Sequence, residues 1–289
     1  MNKHTLRRPF LVSLASLVVL TSALVVGCGA VPAKPDSQAV AALAPTGKLR
    51  IGVYKGSPTS MVVDAKTGEQ RGVALQLGQE LARQLGVPFE VVEFPRLAEI
   101  LLAMKTDSGK AAKVDFTFTN ATAVRAKDVD FTSPLIGLEL GYLVPQTSSI
   151  QTAQDVDKAA TRVGVAQGSS SQAALSKAYS RAILTTTPTL ATAAEQLKTG
   201  TLDAFATNKA ILFELLDSLP AGQFRILDDR WGLEHLAIAV PKGREAAASF
   251  MNAFAREVTS SGLLQKIADG AGLRGMAKNT TVNNAGESK

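Results

Sequence analysis

The chain has 289 residues, 46% hydrophobic and 19% charged, a composition that builds a soluble core and is too large for a peptide-sized module. Its net charge is +6, but three of the basic residues, Lys3, Arg7 and Arg8, stand in an acid-free opening of 27 residues, so the remainder carries only +3. No other Lys/Arg block and few aromatics (5%) argue against a nucleic-acid partner.

In chain order, Lys3, Arg7 and Arg8 precede an uncharged apolar run from Phe10 to Val26, the pattern of a secretory leader. The run sits at the short end of what spans a bilayer, about 17 residues, and Gly27-Cys28-Gly29 interrupts it where cleavage would fall. Cys28 is the single cysteine and has no internal partner for a disulfide. Val25-Val26-Gly27-Cys28 resembles the lipobox of bacterial lipoproteins, which implies cleavage before Cys28 and a lipid on that cysteine, anchoring the domain at a membrane. Gly29, rather than an acid, follows the cysteine, which in Gram-negative relatives favours the outer membrane. Residues 28–46 are rich in Ala and Pro, have little to bury, and read as a tether; residues 279–289 read as a polar tail.

Between them, Lys48 to Val53 reads as a strand, Val73 to Leu85 as a helix stopped by Gly86, and Phe89 to Phe94 as a strand. Ala98 to Met104 reads as a helix and Val114 to Phe118 as a strand. The grammar restarts at Arg162 to Ala166, then a helix from Ser171, strands at Ile183-Leu184 and Leu202 to Ala206, helices from Leu190 and Asn208, and a strand at Phe224 to Leu227. Tyr142 to Pro145 and Leu236 to Pro241 bracket this second series, and an amphipathic helix from Glu245 to Ser261 follows. The simplest arrangement is two α/β lobes joined twice, with one continuous doubly wound sheet as the alternative. The expected boundaries are 1–27 leader, 28–46 tether, 47–142 and 239–278 lobe one, 143–238 lobe two and 279–289 tail.

Four stretches carry a family likeness: Gly72 to Leu77 with Leu85-Gly86; Asn120 to Arg125 followed by Val129 to Pro134; Asp155-Val156 with Val163 to Ser169; and Gly200 to Phe205, with Pro241-Lys242-Gly243 as a return into lobe one. In order and spacing, residues from about Leu49 to Gly275 resemble the polar-amino-acid type of periplasmic solute-binding protein that feeds ABC importers, family 3, in lipoprotein form. The resemblance implies an α/β periplasmic-binding-protein fold of type II, with two lobes and two hinge crossings. It implies a monomer on the periplasmic side, with no enzymatic activity, cofactor, metal or nucleic acid, that hands a small anionic or amino-acid-like solute to a permease.

The resemblance also assigns residues. Arg125 would fork onto a ligand carboxylate, for which its paired donors are suited. Thr122 would assist, and Asn120 would lie near the ammonium. Ser169 and Ser170 open a helix, where unpaired N–H groups favour an anion; N-capping is the plainer reading. Asn208 stands where the family usually places the acid that meets an α-ammonium, so the solute need not carry one. Tyr54 is the aromatic nearest the entrance loop, and Gln76 replaces an aspartate. Glu234 and His235 read as a solvent-facing pair, Trp231 as packing or a cleft wall, and Arg96 as a further anion donor. A sensory or partner-binding lipoprotein and a dehydratase-like enzyme on the same scaffold, for which Glu139 and Glu234 are the acids to test, are the alternative functions.

Overall fold

The computed structural model describes Met1, residues 37–106 and residues 111–277. The leader, Cys28 and the polar tail lie outside the described residues.

Lobe one opens with α1 (Ser37–Leu43), which the sequence reading placed in the tether. Ala39 and Leu43, one turn apart, are buried in the lobe-one core, so the tether ends before this helix. The strands β1 (Leu49–Val53), β2 (Val62–Val63), β3 (Gln70–Arg71) and β4 (Phe89–Glu93) alternate with α2 (Val73–Leu85) and α3 (Leu97–Met104). β1 and β4 pair in parallel, Leu49 opposite Phe89. Helix α2 turns Leu77, Leu81 and Leu85 inward at helical spacing and ends at Gly86, whose φ of 69° is left-handed and closes the last turn. The next strand, β5 (Thr117–Asn120), starts three residues later than Val114; just ahead of it, the Asp115 carboxylate accepts from Arg50.

Then come β6 (Val129–Phe131) and the long β7 (Ile136–Pro145), which enters lobe two. There β8 (Arg162–Ala166), β9 (Ile183–Thr187), β10 (Ala204–Asn208) and β11 (Phe224–Ile226) alternate with α4 (Ser170–Ala178), α5 (Leu190–Lys198) and α6 (Lys209–Ser218). β8 pairs in parallel with β9 and β10. Alternation along β7 fills a core on each face of this sheet: Tyr142 and Val144 go to one, Leu143 to the other. The long β12 (Gly232–Pro241) returns to lobe one, where α7 (Ala248–Ser260) and α8 (Leu263–Gly270) cover α2 and the sheet.

The two crossings are therefore longer and earlier than the apolar runs suggested. Residues 136–140 of β7 pair antiparallel with residues 232–236 of β12. Beyond that ribbon β7 joins β10 and β11, and β12 joins β5 and β6. The two-lobed arrangement read from the sequence holds, and antiparallel pairing through both crossings strings strands of the two lobes into the order β5-β12-β7-β10-β8-β9, with β1 and β4 in a sheet of their own. Tyr142 packs in lobe two, while Leu236 and Ile238 pack in lobe one. The last described residues form a further link, with Glu139 N–H donating to Gly275 O at 3.0 Å and Ala277 N–H to Gly137 O at 3.0 Å.

Candidate functional site

Parallel strands deliver their carboxyl ends, and the helices that follow them, to one edge of a sheet. In lobe two that edge holds the starts of α4, α5 and α6, capped by Ser169, Thr189 and Asn208, each side chain accepting from a backbone N–H of its own first turn. All three caps line a cleft of about 660 Å³, open mouth included, whose other wall is lobe one. Three helix N-termini give the lobe-two wall a partial positive charge.

Lobe one contributes Tyr54, Arg96, Thr119, Asn120 and Arg125. A short 3-10 turn, Arg125–Lys127, follows β5 and carries Arg125 into the cleft. Arg125 Nη1 donates to Thr119 Oγ1 and to the Asn120 carbonyl, both at 3.1 Å. No carboxylate stands within ion-pair distance of it among the described residues. Desolvation pulls the Arg125 guanidinium below its ordinary pKa, and the fields of Glu234 and Tyr54 oppose this. Burial raises the Tyr54 phenol, while hydrogen bonds from Ser57 and Thr59 act the other way.

The structure moves Glu234 from the surface to the centre of the site. Strand alternation separates the predicted pair: His235 is exposed, whereas Glu234 is 6% exposed and lines the cleft. Ser170 Oγ donates to Glu234 Oε1 at 2.5 Å, and Asn208 Nδ2 donates to Oε2 at 3.0 Å. Both partners are neutral, so neither is a counter-charge to this carboxyl group, and each oxygen keeps a lone pair available. The signal was present in the sequence. Leu236 and Ile238 are core residues of the same strand, and a period of two puts Glu234 on their face.

Of the predicted site residues, Arg125, Asn120, Ser169, Ser170, Asn208 and Tyr54 all line this cleft. Thr122 does not; its Oγ1 accepts from the Arg125 backbone N–H at 3.3 Å and shapes the turn that presents the guanidinium. Asn120 has its side-chain oxygen occupied by the His235 N–H at 2.9 Å. Glu139 is also outside, held by Lys209 at 2.9 Å and Arg230 at 3.3 Å. Trp231 is a packing residue, its ring 6.2 Å from that of Tyr142 and its Nε1–H donating to the Gly141 carbonyl. Gln76 lies on α2 away from the cleft, its side-chain oxygen buried without a hydrogen-bond donor. Thr119 was missed because a strand threonine in an apolar run gives no sign of what it faces.

The lobes meet at the mouth. Gly168 has a φ of +73°, and a Cβ there would stand 2.5 Å from Ala98 Cβ across the gap, so glycine permits both the turn and the approach.

Comparison with known proteins matches residues 49–271 to the family model described as bacterial extracellular solute-binding proteins, family 3. The chain is 24% identical over 258 residues to the ABC transporter glutamine-binding protein GlnH of Bacillus subtilis, covering 89% of this chain and 93% of that one. It is 26% identical over 196 residues to a glutamine-binding protein of Geobacillus stearothermophilus, covering 68% and 73%. In structure it is similar to a mutant of ArgBP from T. maritima (TM-score 0.70, 23% identity, 80% of this chain and 97% of that one). It is also similar to AncCDT-1, an ancestral amino acid-binding protein and precursor of cyclohexadienyl dehydratase (TM-score 0.67, 24% identity, 80% and 97%).

Proposed function

Because this chain belongs to the bacterial extracellular solute-binding proteins of family 3, we propose that it captures a free amino acid between its lobes and delivers it to an ABC permease. The observation that carries this reading is the opposed pair in one cleft: Arg125, with no carboxylate partner, and buried Glu234, held only by neutral donors. Arg125 takes the α-carboxylate, with the α4 N-terminus closing over it from lobe two. Glu234 accepts from the α-ammonium. The amide at Asn208, which from the sequence favoured a solute without an ammonium, instead orients this carboxylate and caps α6. The charge that relatives keep at that position is supplied here from the crossing strand.

The test is to unfold and refold the protein to strip carried-over solute, identify that solute by mass spectrometry, and titrate it back by calorimetry. E234Q and R125A each weaken binding by roughly 2–5 kcal/mol, about thirtyfold or more. An E234Q protein that binds its solute like the parent would remove the reading. Recovery of the solute chemically unchanged supports capture; turnover would mark Glu234 as a catalytic acid and favour the dehydratase-like alternative.

The leader and the Gly27-Cys28 junction support a lipid-anchored monomer on the periplasmic side, at the outer membrane given Gly29. A C28A variant is expected to leave the membrane fraction; one that stays lipidated would exclude this anchor.

A further inference from the structure

The cleft holds one arginine, Arg96, that an amino-acid backbone does not use. Arg96 occupies the N-cap position of α3 and lines the cleft. Its Nη2 lies 2.7 Å from Glu99 on the same helix, in a partly exposed pair. Its Nε is buried and has no hydrogen-bond acceptor among the described residues. A buried donor left in that state is unfavourable, and a ligand oxygen relieves it.

The charged residues lining the cleft are Arg96, Arg125 and Glu234, two cations against one carboxylate. The α-carboxylate and α-ammonium of a bound amino acid use Arg125 and Glu234 and leave Arg96 over. A cationic side chain would face Arg96 with no second acid in the lining. A neutral side chain would offer the buried Arg96 Nε no more than an uncharged acceptor. An anionic side chain would offer that Nε a charged acceptor, and the N-termini of α4, α5 and α6 favour the same sign.

Resting on the amino-acid reading above, we propose that the solute is an acidic amino acid and that Arg96 is the residue that selects its side-chain carboxylate. Glu99 then acts as a positioning residue that holds the guanidinium from its far side.

The experiment is calorimetry on the solute-free full chain with L-glutamate, L-aspartate, L-glutamine, L-arginine and glutarate. One of the two acidic amino acids is expected to bind at least about tenfold more tightly than glutamine, and arginine most weakly, because charge-assisted hydrogen bonds are roughly twice as strong as neutral ones. R96Q is expected to lower the acid-to-glutamine affinity ratio by about tenfold, and R96K to restore most of it. Glutamine or arginine binding ahead of both acids overturns the inference and leaves amino-acid capture standing. A ratio unmoved by R96Q removes Arg96 from the assignment. Glutarate, which lacks the ammonium, binding as tightly as glutamate would instead overturn the amino-acid reading itself.

Discussion

Each lobe ties its first α/β strand to the start of a later one with an arginine–aspartate fork. In lobe one, Arg50 of β1 donates through its backbone N–H, Nε and Nη2 to Asp115, just ahead of β5, at 3.0, 2.7 and 2.8 Å. In lobe two, Arg162 of β8 does the same to Asp203, just ahead of β10, at 2.8, 3.0 and 2.6 Å. The surroundings differ. Asp115 is fully buried and accepts a second guanidinium, that of Arg244 at 2.6 Å, which also reaches the Leu43 carbonyl of α1. The side chains of Arg162 and Asp203 are 42% and 35% exposed. One geometry thus serves two purposes. In lobe one it is a buried junction of three segments; in lobe two it is a surface clip whose attraction water screens. The cleft is a third case, where Arg125 and Glu234 are kept from pairing by neutral partners and remain available to a ligand.

The largest effect that would sharpen this contrast is expected from D115A. It strands two guanidinium groups, Arg50 and Arg244, and should cost about 3–5 kcal/mol, a fall of roughly 10 °C in melting temperature. A loss below about 1 kcal/mol by chemical denaturation would break the distinction between the forks.

N208D is expected to act at the ligand and not on the fold, because aspartate still caps α6. It places a second carboxylate beside Glu234. Calorimetry should show an amino-acid solute bound as well as or better than by the parent, and a solute lacking an ammonium bound about tenfold less tightly. The reverse order would mean that the cleft does not read an ammonium.

The smallest effect is expected from D203A, about 0.2–1 kcal/mol. It should also depend on pH in a defined direction. The Arg162 hydrogen bond holds the folded Asp203 carboxyl below its ordinary range, opposed by desolvation. A depressed folded pKa contributes stability above the unfolded value near 3.8, and that contribution fades as pH falls through the folded value. Melting curves of parent and D203A should therefore differ at pH 7 and converge in strong acid. A gap that widens in acid would contradict the sign.

The helices were legible because apolar spacing and glycine stops are local signals: α2 ends at Gly86 as the residues themselves demand. So was much of the cleft, since Arg125, Ser169, Ser170 and Asn208 sit at element ends whose chemistry is readable in a few residues. The crossing strands were truncated in the reading because their inner halves, GLELG and GLEHL, carry glycine and charge where a strand shows apolar residues. The same feature hid Glu234. Alternation with Leu236 and Ile238 is readable once the strand is drawn back to Gly232, but its partners Ser170 and Asn208 stand 64 and 26 residues away, and no local pattern announces partners at such range. α1 was missed for the opposite reason: SQAVAAL has helix-forming alanines, but its two buried residues are too few to outweigh the Pro-containing context.

The ribbon of β7 and β12 has a mechanical consequence. A door hung on two slack cords swings freely, but these crossings are bonded to each other over five facing positions, Leu140 opposite Gly232 through Ile136 opposite Leu236. The last described residues, Gly275 and Ala277, add a backing strip along β7 at Gly137 and Glu139. Rotation of one lobe against the other must then be taken up as bending and twisting of the strip itself, as in a flexure bearing, where the joint is a thin band of the same material as the parts it connects. Such a joint has a rest angle, a restoring torque and a preferred axis. Because Glu234 is carried on that band, one of the groups that holds the ligand also reports the angle at which the band is bent.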